Sequence, residues 1–132
     1  MMKFAYTILY VGDVKQTTDF YMRAFGFKAK FVHEDGDYAE LDTGATTLAF
    51  SSHKLIKSLG KDPQVVNAQK PSFELAFVTD DVAQAVEKAV AAGAVLIQPP
   101  HDVLWGQTIA YVSDLNGFLI ELCTPVGASL NA

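Results

Sequence analysis

The sequence predicts an α+β fold of two tandem β-α-β-β-β modules that form a curved mixed sheet around a cleft. Three observations predict it. A helix-opening motif occurs twice, as Gly12-Asp13-Val14-Lys15-Gln16 and as Asp80-Asp81-Val82-Ala83-Gln84. A glycine, Gly26 or Gly93, closes each helical pattern, and a strand and a hairpin follow each glycine. Repetition of a whole strand and helix order within one chain implies two copies of one supersecondary unit.

In chain order, Phe4 to Val11 reads as the first strand. Asp13 is placed to cap a helix, and Gln16 stands three residues on, where a capping box needs it. Val14, Thr17, Phe20, Tyr21, Ala24 and Phe25 then form one apolar stripe of about three turns. Gly26 can take the left-handed conformation that ends a helix. Lys28 to Val32 reads as a strand, and Tyr38 to Asp42 with Thr46 to Phe50 as a hairpin turning at Gly44. The second copy repeats this order. Phe73 to Val78 precedes the Asp81 cap, and Val82, Ala85, Val86, Ala89 and Val90 make the stripe. Ala94 to Ile97 follows Gly93, Pro99 to Gly106 is a loop, and Ile109 to Asp114 with Phe118 to Leu122 pairs through an Asn116-Gly117 turn. Asp42 and Asp114 take matching positions in this alignment. The chain therefore reads as one domain, 1–132, made of repeats at about 3–53 and 71–124. Linker 54–70 holds a short helix at Lys54 to Leu59, and the tail 125–132 reads as a fraying end.

Composition narrows the function. Half of the 132 residues are hydrophobic and 19% are charged, enough apolar surface for a packed core. Ten Lys and Arg stand against fifteen Asp and Glu, a net charge of -5, so no basic surface is available for nucleic acid or an anionic membrane. No apolar run approaches the roughly 20 residues that cross a bilayer. The single cysteine, Cys123, forms no internal disulfide, and a cytoplasmic location is expected. Without a His partner nearby, Cys123 reads as a small packed residue and not a nucleophile. The chain has no P-loop and no G-x-G-x-x-G, so no nucleotide cofactor is expected.

Each half covers one sheet face with its helix, and the other faces are left to line the cleft. Side chains alternate across a strand, so aligning the two helix starts makes Tyr6 equivalent to Glu74 and Ile8 equivalent to Ala76. The hairpin alignment makes Ala49 equivalent to Glu121, Thr47 to Leu119 and Ser51 to Cys123. Glu74 has two readings: the wet-face residue of a half-buried strand, or a cleft carboxylate. Glu121 interrupts Phe118-Leu119-Ile120-Glu121-Leu122-Cys123, where a carboxylate costs free energy unless it is partnered or faces a ligand. Tyr6 and Tyr111 are either core aromatics or ligand contacts. Trp105, the only tryptophan, is a pocket wall or lid, or else the anchor of its own loop.

These residues carry a resemblance. The paired units, the Val11-Gly12-Asp13-Val14 helix opening with Phe20-Tyr21 inside, the Phe25-Gly26-Phe27 exit, and Trp105-Gly106 followed by Ser113-Asp114-Leu115-Asn116-Gly117-Phe118-Leu119-Ile120-Glu121-Leu122 resemble the vicinal oxygen chelate superfamily of glyoxalases, bleomycin-resistance proteins and extradiol dioxygenases. The likeness covers nearly the whole chain. In metal-dependent members it implies a divalent ion held by inward side chains, usually His and Glu, on the first and last strands of each half. Here those positions are Tyr6, Ala49, Glu74 and Glu121, without histidine and with one position lacking a donor atom. No metal or other cofactor is therefore expected, and Glu74 and Glu121 are the ligands if one binds. His33 and His53 fall elsewhere, and His101 stands where it could reach the cleft mouth.

The expected function is metal-independent binding of a small molecule, a drug or an aromatic metabolite. Tyr6, Ile8, Ala49, Glu74, Trp105, Gln107, Tyr111, His101 and Glu121 are the candidate site. The alternative is a lyase or isomerase for a carbonyl substrate, in which Glu121 or Glu74 removes a proton while Tyr6 and Gln107 donate to the oxyanion, with or without a divalent metal. Exposed sheet edges imply a homodimer.

Overall fold

The structure, a computed structural model, describes residues 1–126, so most of the expected fraying tail lies outside the described residues. The chain divides into two compact units, the first ending at Val65 and the second starting at Val66. Each has the predicted β-α-β-β-β order. The first holds β1 (Tyr6–Val11), α1 (Val14–Phe25), β2 (Lys28–Val32), β3 (Tyr38–Asp42) and β4 (Thr47–Ser52), then the short α2 (His53–Ser58). The second holds β5 (Glu74–Val78), α3 (Val82–Ala91), β6 (Val95–Asp102), β7 (Thr108–Ser113) and β8 (Leu119–Cys123). The sheet orders are β1-β4-β3-β2 and β5-β8-β7-β6, with one parallel pair in each, β1 with β4 and β5 with β8.

Local chemistry accounts for the helices. The Asp13 carboxylate accepts from the Gln16 amide at 2.9 Å and the Asp81 carboxylate from the Gln84 amide at 3.0 Å, satisfying donors that a helix start leaves unpaired. Gly26 ends α1 at φ 78°, and its N–H returns to the Met22 carbonyl. The second helix ends differently: Ala92 is the cap, and Gly93 makes the left-handed turn one residue later.

One face of each sheet packs under its helix. In the first unit Leu9, Val11, Leu41, Leu48 and Phe50 of the sheet and Phe20, Tyr21 and Ala24 of α1 are all buried. The rings of Phe20, Tyr21, Phe25 and Phe50 make edge and tilted contacts at 4.9–5.8 Å between centroids. Burying a large apolar side chain of this kind stabilises by roughly 2–3 kcal/mol. In the second unit Ile120, Leu122, Val112 and Ala110 meet Val82, Val86 and Ala89.

Two local expectations are corrected. β6 continues through Pro99-Pro100-His101 to Asp102, where the prolines suggested a loop. It is the outermost strand of its sheet and is bulged between Leu96 and Gln98 and again between Gln98 and His101, which removes the need for proline N–H donors. Asp42 is matched by Ser113, not Asp114, because Asp42 pairs with Thr47 and Ser113 with Leu119. The second hairpin turn is one residue longer. Asp114 is buried in that turn and accepts from the amides of Asn116 at 2.8 Å and Phe118 at 2.9 Å.

Candidate functional site

The face of each sheet turned away from its helix carries the predicted residues. Residues directly opposite across strands share a face, so the ladders define rows. In the second sheet one row runs Ala76, Glu121, Tyr111, Gln98, and Glu74 begins the next row beside Leu119 and Ser113. In the first sheet the corresponding row runs Ile8, Ala49, Glu40, Phe31, with Tyr6 and Thr47 in the next. The equivalences of Ile8 with Ala76 and of Ala49 with Glu121 therefore hold in the strand register.

The second sheet concentrates the chemistry. The Tyr111 hydroxyl lies 2.8 Å from Glu121 Oε2 and 3.3 Å from Glu74 Oε2, so one phenol bridges two carboxyl groups carried by the neighbouring parallel strands β8 and β5. Burial first, then the neighbouring Glu121, raises the Glu74 carboxyl above the usual carboxylate range, and Tyr111 opposes that rise. Burial and the Glu121 carboxylate hold the Tyr111 phenol in its neutral form well past the ordinary tyrosine range. Cys123, one row along, is buried, and its thiol donates to the Phe77 carbonyl at 3.8 Å. Burial and then Glu121 push this thiol up to about 11, so it is no nucleophile near neutrality.

Around this cluster the remaining predicted residues fall into two groups. His101 pairs with Ile109, and its Nδ1 lies 2.9 Å from the Pro99 carbonyl oxygen on its own strand. Trp105 and Gln107 sit in the β6–β7 turn, where the indole donates to Gln107 Oε1 at 2.6 Å and Gln107 Nε2 donates to the Thr124 carbonyl at 2.8 Å. Both ends of the Gln107 amide are thus engaged, and Trp105 is held in place although 58% exposed.

The first sheet offers a flatter face. Tyr6 and Ile8 are 52% and 45% exposed, while Ala49 is fully covered. Sequence reasoning missed a second phenol–carboxylate pair here: the Tyr38 hydroxyl donates to Glu40 Oε2 at 2.7 Å. Burial and Glu40 raise the Tyr38 phenol, with a smaller push from Tyr6. Glu40 stands directly across from Ala49, so the first unit carries its carboxylate on β3 where the second carries one on β8. The Gly44 hairpin register contained that signal, but the alignment of the halves compared first and last strands only.

A divalent ion at Tyr6, Ala49, Glu74 and Glu121 does not fit these residues. Ala49 has no donor atom, and the two glutamates are joined through Tyr111. Among the described residues no three His, Cys, Asp or Glu side chains are grouped to hold a metal.

The comparisons agree with this architecture. The chain belongs to the Glyoxalase/Bleomycin resistance protein/Dioxygenase superfamily, whose family model matches residues 3–122. A probable lactoylglutathione lyase of Vibrio cholerae is 29% identical over 125 residues, covering 89% of this chain and 86% of its own. YraH of Bacillus subtilis, described as uncharacterized, is 26% identical over 124 residues, covering 92% and 97%. Among solved structures, a glyoxalase-related enzyme from Fulvimarina pelagi superposes with a TM-score of 0.82 at 25% identity, covering 97% of this chain and 94% of that one. Among the described residues, no helix is long and apolar enough to cross a membrane.

Proposed function

We propose that the protein binds a small molecule without a metal, and that the ligand is planar, largely apolar and carries a cationic or strongly hydrogen-bond-donating group. One observation carries this reading: the Tyr111 hydroxyl joins Glu121 and Glu74 on one sheet face, beside the apolar Ala76, Val78 and Leu119. The Tyr111 hydroxyl engages one oxygen of each carboxyl group and Glu74 is exposed, so the remaining carboxyl oxygens favour a ligand that brings positive charge or N–H donors. On the same sheet face Ala76, Val78 and Leu119 provide apolar area beside the carboxyl pair for an aromatic body. The bleomycin-resistance proteins in the family description are consistent with a sequestering role.

A second reading, an isomerase or lyase, is favoured by the Vibrio cholerae relative and by an Escherichia coli O157:H7 lactoylglutathione lyase that is 29% identical over 129 residues. Glu121 or Glu74 would serve it as general base, and Glu74, whose carboxyl burial and Glu121 raise above the usual carboxylate range, is the stronger base for it. Binding and turnover on one sample separate the two. Equilibrium dialysis with bleomycin is run beside an assay for lactoylglutathione formation, using wild type and Glu121→Gln. Binding that weakens in the variant, with no product from wild type, supports sequestration. Product formation by wild type that disappears in Glu121→Gln or in a matched Glu74→Gln variant replaces it with the lyase reading.

A further inference from the structure

We propose that the first unit holds a second ligand site, away from the sheet face that carries Glu74 and Glu121, for an elongated apolar molecule with one cationic head. The site is a groove of about 370 Å³ between α1 and the β2–β3 region, lined by Val14, Thr18, Met22, Ala29, Val32 and Glu34 among others. Val14, Thr18 and Met22 recur at i, i+4 and i+8, so they form one stripe along the helix, about 12 Å long at 1.5 Å per residue. Ala29 and Val32 face it from β2. Their pairing with Leu41 and Ala39, both core residues, puts them on the helix-covered side of the sheet. Both remain exposed, as does Met22, so the groove is a flank of the core that α1 leaves uncovered.

The polar chemistry of the groove specifies the ligand. The Thr18 hydroxyl is spent on the Val14 carbonyl at 2.7 Å, so the floor offers no free hydroxyl there. At the rim Lys15 pairs with Asp19 at 3.0 Å, and His33 lies 2.9 Å from Asp35, which also faces Lys54. Glu34 is left as the rim carboxylate without a cationic partner among the described residues. An apolar body fits the stripe, and a cation fits Glu34. A pairing peptide strand is disfavoured, because β2 is bulged between Ala29 and Phe31 and carries Lys28 and Lys30, features that blunt an edge.

The test uses methyl resonances of the methionines, of which the chain has three: Met22 in the groove, with the exposed Met1 and Met2 as internal controls. The full chain, labelled at methionine methyls, is titrated with octylammonium and separately with octanoate. The expected result is a saturable shift of Met22 alone, with octylammonium binding about threefold more tightly than octanoate. Glu34→Gln should erase the preference, and Ala29→Phe should fill the groove and abolish the shift while far-UV circular dichroism stays unchanged. The proposal is overturned if Met22 does not move, if Met1 and Met2 move with it, or if wild type binds the two amphiphiles equally. Glu121→Gln, which lies on the sheet face, should leave the Met22 response intact, so failure here is distinct from failure of the sheet-face reading.

Discussion

Tyr111 has one proton to donate and two carboxyl groups within reach, at 2.8 and 3.3 Å, and that asymmetry makes its ionisation a reporter of the cluster. Because the folded phenol titrates above the unfolded one, its contribution to stability is complete below about pH 10 and is lost as the pH climbs through the folded value. Glu121→Gln should therefore lower the Tyr111 transition, seen as the difference in phenolate absorbance between matched variants with and without Tyr111→Phe. An unchanged transition would mean that the hydrogen bond carries no weight in solution. Glu74 has the same sign: a raised carboxyl favours the folded state while protonated and loses that advantage as pH rises. Urea unfolding of Glu74→Gln against wild type should thus show the variant gaining relative stability from pH 4 to pH 8; the opposite trend would contradict the assignment. Glu74 and Glu121 were legible as a pair because alternation and the repeat fix the face of each residue. The Tyr111 bridge was not legible, since it depends on side-chain torsions that no spacing encodes. Glu40 was hidden for another reason: its carboxylate stands on a neighbouring strand, outside the aligned positions.

At the scale of elements, both helix starts and the order of strands followed from the sequence because caps, glycine exits and period-two alternation are local signals. β6 was misjudged at Pro99-Pro100 because a proline pair reads as a break unless the strand is known to lie at an edge and to be bulged, and edge position is a tertiary fact. The turns offer a direct comparison. Gly44 and Gly117 both have positive φ, 110° and 99°, but a Cβ at Gly44 meets open space, whereas one at Gly117 would lie 2.6 Å from the Val66 carbonyl oxygen. Gly44→Ala should cost roughly 1–2 kcal/mol from backbone strain. Gly117→Ala should cost more, because segment and turn must also separate; equal unfolding midpoints for the two variants would contradict the close approach.

At the scale of the molecule, each four-stranded sheet ends in two outer strands, β1 and β2 in one and β5 and β6 in the other. Outer strands expose unpaired backbone groups, and pairing of chains is a common way to cover them. A homodimer is the expected state, and light scattering at micromolar concentration should return twice the chain mass of 14.3 kDa; a monomer would contradict it. The carboxyl pair that Tyr111 joins is proposed to recognise a cation without a metal. The most direct test is isothermal titration of 2-naphthamidine, a planar amidinium, into protein freed of divalent ions by a chelator. Binding should be saturable in the chelator and weakened about tenfold in Glu121→Gln, the loss expected for one charge-assisted hydrogen bond. Binding that appears only after a divalent ion is restored, or equal affinity in the variant, would contradict it.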